Sequence, residues 1–561
     1  MDFSDEHDPK AWPPGTVRLE DIMRAKGHDL ILQPQPSDDC NDPLNWSKLR
    51  KYWNFALVSF YALMVFAFID AATPTWGPMN VQLGFSYTIL NDSYAIGCGT
   101  LAFGAFLLIP FALKYGRRPV YIVSTIAQFA ISVWSAKLET VADIMLINAF
   151  SCGVGALAEV IVQMTVADVF FVHERGLMNT IYVWTSGIGG SLAPVAAGYI
   201  TESQGWRWVW WWNAIFFGVC IVLFFFSYEE TKYTYPSSIS GISPQTIHER
   251  SSDSDPGQEL DQKAFTEKSQ PINHDPKAPC SKMEEAGLTP TLSTAVAINP
   301  AIPPKTYWQK LAIASPSKGS LKSFARHGYQ PAAILFTIPA VFYMSLVYGV
   351  MLSWSTVMVT VLSSEMTLPP YNFNSAQIGL MSVAPFVGTT IGALVIGPIS
   401  DRSIIFLARR NGGIYEPEMR LWAMAPFVPF VPLGALMFGI ALNDGKPWPV
   451  IAVGYAICLF GLTPISSIAL TYITDSYTEI VADSLVAVTF IRNIIGTIFV
   501  FALTPWINAV GIQNVIITIT VIGTVVLAFV FLFIFKGKSF RVRSAKRYRG
   551  YAEKQFEARR I

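Results

Sequence analysis

Twelve apolar runs, each close to the ~20 residues that cross a hydrocarbon core as a helix, divide this 561-residue chain. They fall at roughly 52–74, 92–113, 118–136, 142–166, 179–200 and 207–228, then at roughly 330–360, 376–399, 420–442, 448–472, 484–508 and 514–536. Between the two sets the composition turns to Ser, Pro, Asp, Glu and Lys, as in Ser251-Ser252-Asp253-Ser254-Asp255-Pro256, and such a stretch cannot bury enough apolar area to fold. The pattern predicts an all-α polytopic membrane protein with 12 transmembrane helices in two six-helix bundles. Its expected divisions are an N-terminal tail (1–51), a first bundle (52–228), a mostly disordered linker (229–329), a second bundle (330–536) and a basic tail (537–561).

Composition agrees: 52% of residues are hydrophobic, only 14% are charged, and the mean hydropathy is +0.39. The formal net charge of +1 hides the useful signal, which is where the charges sit. Even-to-odd connections carry Lys114, Arg117 and Arg118, then Arg175, then Arg402, Arg409, Arg410 and Arg420, while odd-to-even connections carry only Lys137, Arg207 and Lys446. Cytosolic loops collect Lys and Arg, so both termini and the linker are expected in the cytosol. The first 50 residues lack a basic-then-apolar leader, so the first helix is expected to direct insertion itself. Trp206, Trp208, Trp210, Trp211 and Trp212 are read as interfacial anchors at the outer end of helix 6. Asn91-Asp92-Ser93 is a glycosylation sequon on the predicted outside, and Asn45-Trp46-Ser47 lies on the inside.

The chemistry is sparse. No HExxH, P-loop, GxSxG or clustered Cys/His set appears, and the six cysteines are scattered. No metal site, cofactor, nucleic-acid partner or enzymatic centre is therefore expected. Two six-helix halves joined by a long linker, without a nucleotide motif, point to secondary transport, with substrate near the midplane between the halves. A charge inside a bilayer costs several kcal/mol, so Glu159, Asp70 and Arg492 are the candidates for substrate or proton coupling. For Glu159 the alternative is a structural ion pair, for Asp70 an interfacial position, and for Arg492 a side chain that snorkels inward. Lys114, Arg117, Arg118, Asp168, Glu174, Arg175, Asp401 and Arg402 are candidates for a cytosolic gate. Gly187, Gly190, Pro194 and Gly198 repeat at spacings of three and four on helix 5, which suits both close packing and a hinge.

The residues themselves bring a family into view. Lys114-Tyr115-Gly116-Arg117-Arg118, Ala193-Pro194 with Gly198, Trp206-Arg207-Trp208, Ala167-Asp168-Val169, Arg409-Arg410-Asn411-Gly412-Gly413 and Thr504-Pro505-Trp506 resemble the fungal drug:proton antiporter (12-helix) branch of the major facilitator superfamily. The resemblance covers roughly 45–540 and implies alternating access with outward movement of drugs or secondary metabolites in exchange for protons. The chain departs from the family pattern at Ile109 and Leu113, where a Gly and an Asp belong, and at Ala149, where an Arg is expected. With Leu113 in place of that Asp, the cations of the 2–3 turn need lipid phosphates or carboxylates such as Asp168 or Glu174. The expected function is export of a small organic compound by a monomer in the plasma membrane, with the vacuolar membrane as the other location. Uptake of an organic cation or polyamine, with Asp70 and Glu159 as counter-ions, is the competing reading. A non-transporting sensor built on the linker is a third.

Overall fold

A computed structural model describes residues 13–18, 37, 39–233, 305–312 and 321–552. Most of the predicted linker, 234–304 and 313–320, lies outside the described residues. The first half contributes α1 (Lys48–Asp70), α2 (Tyr87–Tyr115), α3 (Arg117–Ala136), α4 (Val141–Val169), α5 (Val172–Gln204) and α6 (Trp206–Phe226). The second contributes α7 (Pro339–Glu365), α8 (Ser375–Arg410), α9 (Glu418–Asn443), α10 (Trp448–Ser476), α11 (Val481–Val510) and α12 (Ile512–Ala552). Eleven spans among the described residues are long and apolar enough to cross a membrane. The remaining helix, α5, has 33 residues, and its Gly, Ser and Thr content makes it less apolar. That composition suits a helix that others approach closely.

Each half folds around its own apolar core. One core runs through α1–α6, with Val58, Tyr61, Ala105, Tyr121 and Phe217 at its centre. The other runs through α7–α12, with Met344, Met351, Leu421, Phe438 and Ile473. Links within each half are short. Gly116 alone joins α2 to α3 with φ +107°, a conformation that favours glycine. Gly205 (φ +93°) does the same between α5 and α6.

Two sequence expectations change. The seventh apolar run covers roughly 330–360, but the chain breaks inside it: a helix at Leu321–Thr337 ends at extended Ile338, and α7 begins at Pro339. Proline keeps the residue before it out of the helical region, and the break is invisible to hydropathy because Ile338 and Pro339 lie within an apolar run. The tryptophan cluster also divides. Trp208 and Trp212 are exposed as anchors should be, whereas Trp206 and Trp210, one turn apart, are buried in the first bundle. Trp206 Nε1 donates to Gln82 Oε1 at 2.8 Å.

The N-terminal tail is bound at two places. Residues 37 and 39–46 pack on the first half, where Tyr233 donates to Asp39 at 2.9 Å and Asp42 is buried. Residues 13–18 pack on the second half, with β1 (Val17–Arg18) pairing antiparallel with β2 (Ile414–Tyr415). Residues 13–18, residues 39–46 and the end of α12 thus share one side of the helices, called the tail side below.

Candidate functional site

The seam between the halves holds the intramembrane charges. On the side away from the tails it closes by backbone approach. A methyl group added at Gly198 of α5 would stand 2.5 Å from the Ser375 carbonyl oxygen of α8, and one at Gly379 of α8 the same distance from that of Pro194. Ser375 N–H donates to Glu202 at 3.0 Å. Asn91 Nδ2, at the start of α2, donates to the Val500 carbonyl of α11 at 2.8 Å and to Thr504 at 3.2 Å. Asn91 is buried, with its amide nitrogen committed to the opposite half. The expected glycosylation at Asn91 is therefore withdrawn, because no glycan fits on that nitrogen in this fold. The helix-5 residues meet α1 as well as α8: Gly190 abuts Asp70, and Gly187 faces Thr389.

Deeper in the seam, Glu159 of α4 and Arg492 of α11 form a buried ion pair between the two halves. Arg492 also donates to Tyr348 of α7 at 3.4 Å and lies over that ring, 5.2 Å from its centroid. Asn493 donates to the second Glu159 oxygen at 3.4 Å. The two residues named separately from the sequence are thus one unit. Asp70 does not join them. It ends α1, is half-buried, and accepts from the Tyr94 hydroxyl at 3.2 Å, with no ion pair among the described residues. A carboxylate at the C-terminal end of a helix sits at the negative pole of its dipole, which makes it a natural partner for a cation. Cys98 of α2 is within electrostatic reach of Asp70, Glu159 and Arg492, and Tyr455 of α10 within reach of Asp70. The acids therefore share one region between the bundles, with a fixed pair deeper in and a lone carboxylate above it.

The tail-side candidates fall into a second cluster. Arg117, at the start of α3, meets Asp168, at the end of α4, with Nε 2.9 Å from Oδ2. This is a charge contact without hydrogen-bond alignment between those two atoms. Arg118 is buried and donates to the carbonyls of Phe225, at 2.7 Å, and of Leu311. Lys114 packs over the Tyr115 ring, 5.4 Å from its centroid. Glu174 lies within electrostatic reach of Lys51 rather than in the Arg117 cluster. Arg402 is exposed, and the side chains of Arg175 and Asp401 lie outside the described residues.

Sequence reading missed the anion that replaces the one absent at Leu113. Glu230, just beyond α6, accepts the backbone N–H of Arg117 at 2.9 Å and of Arg118 at 3.1 Å, and so caps α3. Gly116 is needed there because a methyl group would stand 2.3 Å from a Glu230 oxygen. Lys232 completes the arrangement from the other side, donating to the carbonyls of Leu113 at 2.8 Å and Lys114 at 3.0 Å at the end of α2. Residues 229–233, assigned above to the linker, instead pack on the first half, Glu229 N–H donating to Asn54 at 2.9 Å and Lys232 N–H to Glu230 at 2.9 Å. The signal was a Glu-Glu-Thr-Lys run directly after a span.

In the second half, Arg420 at the start of α9 pairs with Asp475 at the end of α10, at 2.5 Å. Tyr415 donates to the same Asp475 oxygen at 2.7 Å. Burial, then the Asp475 charge, push the Tyr415 hydroxyl far above the usual phenol range, so it stays a donor. Arg541 of α12 donates twice to Glu418, at 2.7 and 2.6 Å, from a fully buried position.

Two helical halves around a charged seam, with matched ion pairs at the ends of α4 and α10, are a transporter's construction, and the Major Facilitator Superfamily profile matches residues 55–402. The chain belongs to that superfamily. An uncharacterized MFS-type transporter of Schizosaccharomyces pombe is 33% identical over 552 residues, covering 95% of this chain and 94% of that one. Protein HOL1 of Saccharomyces cerevisiae is 30% identical over 555 residues, covering 95% and 94%. Efflux pump radE of Floropilus chiversii is 25% identical over 503 residues, covering 87% and 80%. Among solved structures, the proton:xylose symporter XylE bound to 6-bromo-6-deoxy-D-glucose matches with a TM-score of 0.52 at 14% identity, covering 87% of this chain and 97% of that one. At that identity the likeness concerns the fold. This is therefore a multi-pass membrane transporter of the fungal major facilitator type, and not an enzyme.

Proposed function

We propose that this transporter exports a small organic compound by alternating access in exchange for protons, with both tails and the linker in the cytosol of a plasma-membrane protein. The observation that carries the reading is the Glu159–Arg492 pair, because it joins α4 of one half to α11 of the other inside the membrane. Breaking a buried pair by removing one charge is expensive. A proton on Glu159 takes away the partner of Arg492 and loosens the two halves from one another, and its departure restores the link. Proton binding thus biases a two-state element, which is what coupling requires. The tail-side pairs Arg117–Asp168 and Arg420–Asp475 are the corresponding gate elements, and Gly187, Gly190, Pro194 and Gly198 let α5 bend against α1 and α8. Export as the direction draws on the relative named an efflux pump.

A second reading, uptake of an organic cation, is favoured by one observation: among the described residues Asp70 has a tyrosine and no cation beside it. Reconstitution in liposomes with an imposed pH gradient, a compound panel and a proton-sensitive dye separates the two by the direction of coupled flux. Glu159→Gln is expected to lower gradient-driven transport at least about tenfold, ~1.4 kcal/mol on the barrier, while leaving binding in place. Gradient-driven flux that persists in Glu159→Gln would remove the coupling role. Loss of cation binding in Asp70→Asn would favour the second reading.

A further inference from the structure

The tail-side end of α12 carries cations that lie outside both charge clusters described above. From Val530 on, one helical face is buried against the second half: Val530, Phe533, Gly537, Arg541, Ser544 and Tyr548. Arg541 and Lys538 are spent on Glu418 and Glu416. Lys536, Arg543 and Lys546 lie on the opposite, exposed face and make no ion pair or hydrogen bond among the described residues.

Helical geometry fixes how these three relate to the membrane. At about 100° per residue, Arg543, Leu532, Lys546 and Phe535 all fall on one side of Lys536 within about 100° of it. Leu532 and Phe535 are exposed, 39% and 74%, at the end of an apolar span, so they face lipid chains. Trp422 of α9 packs edge-on to Phe535, with ring centroids 6.1 Å apart, and is itself exposed, which marks this level as the interface. One face of one helix therefore passes from lipid-facing apolar residues to uncompensated cations within a single step, Phe535 to Lys536. Arg543 and Lys546 follow about 10 and 15 Å further along, and their long side chains reach back toward the bilayer.

We propose that this row is a binding surface for anionic phospholipid headgroups of the adjoining leaflet. Acyl chains and headgroup phosphates succeed one another along the membrane normal in the order in which apolar and cationic residues succeed one another on this face. Clustered Lys and Arg beside a span are attracted to anionic lipid, an attraction that fades within a Debye length. Among the described residues none of the three cations has a partner whose loss would disturb the fold, and the surface does not depend on the direction of transport.

The full-length transporter, reconstituted in equimolar phosphatidylcholine and phosphatidylserine and extracted in mild detergent, tests this by the ratio of retained lipids. Wild type is expected to retain phosphatidylserine preferentially. The triple variant Lys536→Gln/Arg543→Gln/Lys546→Gln is expected to lose that preference about tenfold or more at an unchanged thermal midpoint, and Lys446→Gln to keep it. Equal ratios for wild type and triple variant overturn the proposal. So does a wild type whose phosphatidylserine preference appears only after residues 234–304 are removed, because that segment would then be the occupant.

Discussion

The two halves build the same cap on their tail-side ends, but with the signs exchanged at one place. In both, a cation opening the third helix meets an acid closing the fourth: Arg117–Asp168 in the first half and Arg420–Asp475 in the second. In both, residues past the apolar part of the sixth helix come back to the start of the third. In the first half the returning residue is acidic Glu230, received by the N–H groups of Arg117 and Arg118. In the second it is basic Arg541, received by acidic Glu418. The contact is common to both halves and its polarity is not. A helix N-terminus accepts an anion directly through its free N–H groups, whereas the second half first places a carboxylate there and then neutralises it.

That difference predicts unequal sensitivity. The largest effect is expected from Arg541→Ala, which strands a buried carboxylate at a cost of about 3–5 kcal/mol. It should appear as a strongly lowered thermal midpoint in detergent, and Arg541→Met with Glu418→Met should recover most of it. A wild-type midpoint for Arg541→Ala would break the comparison. Glu230→Gln keeps an acceptor for the α3 N–H groups and loses only charge assistance, so about 1–2 kcal/mol is expected in the same assay. A loss equal to that of Arg541→Ala would show that the first cap also relies on charge. For Arg117→Ala, turnover should slow several-fold with KM unchanged, since Arg117 pairs with Asp168 in the proposed gate and not with the seam residues; unchanged turnover would leave the turn as an orientation signal alone. The smallest effect belongs to Gly15→Val. Gly15 has φ +82°, and a side chain there would stand 2.6 Å from the Asp475 carbonyl oxygen, so residues 13–18 should detach. The expected loss is at most about 1 kcal/mol, read as faster proteolysis of the tail at an unchanged melting midpoint.

How far the sequence could be read follows from the same contrast. The spans were legible because about 20 apolar residues in a row have few other uses. Glu159 and Arg492 stood out as charges in such runs, but nothing local ties residues 333 positions apart, so their pairing was not legible. Leu113 announced a missing anion, yet its replacement lies in a polar stretch whose composition matches that of the residues that follow it. Asn91 was misread for the opposite reason. A sequon is a local pattern, and the partner that occupies its nitrogen, the Val500 carbonyl, is on the other half of the molecule.

The tail's two attachments also make the first residues of the chain an instrument. Pro14 and Thr16 are held by Arg541 on the second half, and Asp39 by Tyr233 on the first. Spectroscopic labels at positions 16 and 39, only 23 residues apart in sequence, would sit on different halves and away from the substrate path. Their separation would follow the rocking of the bundles without a label in any spanning helix.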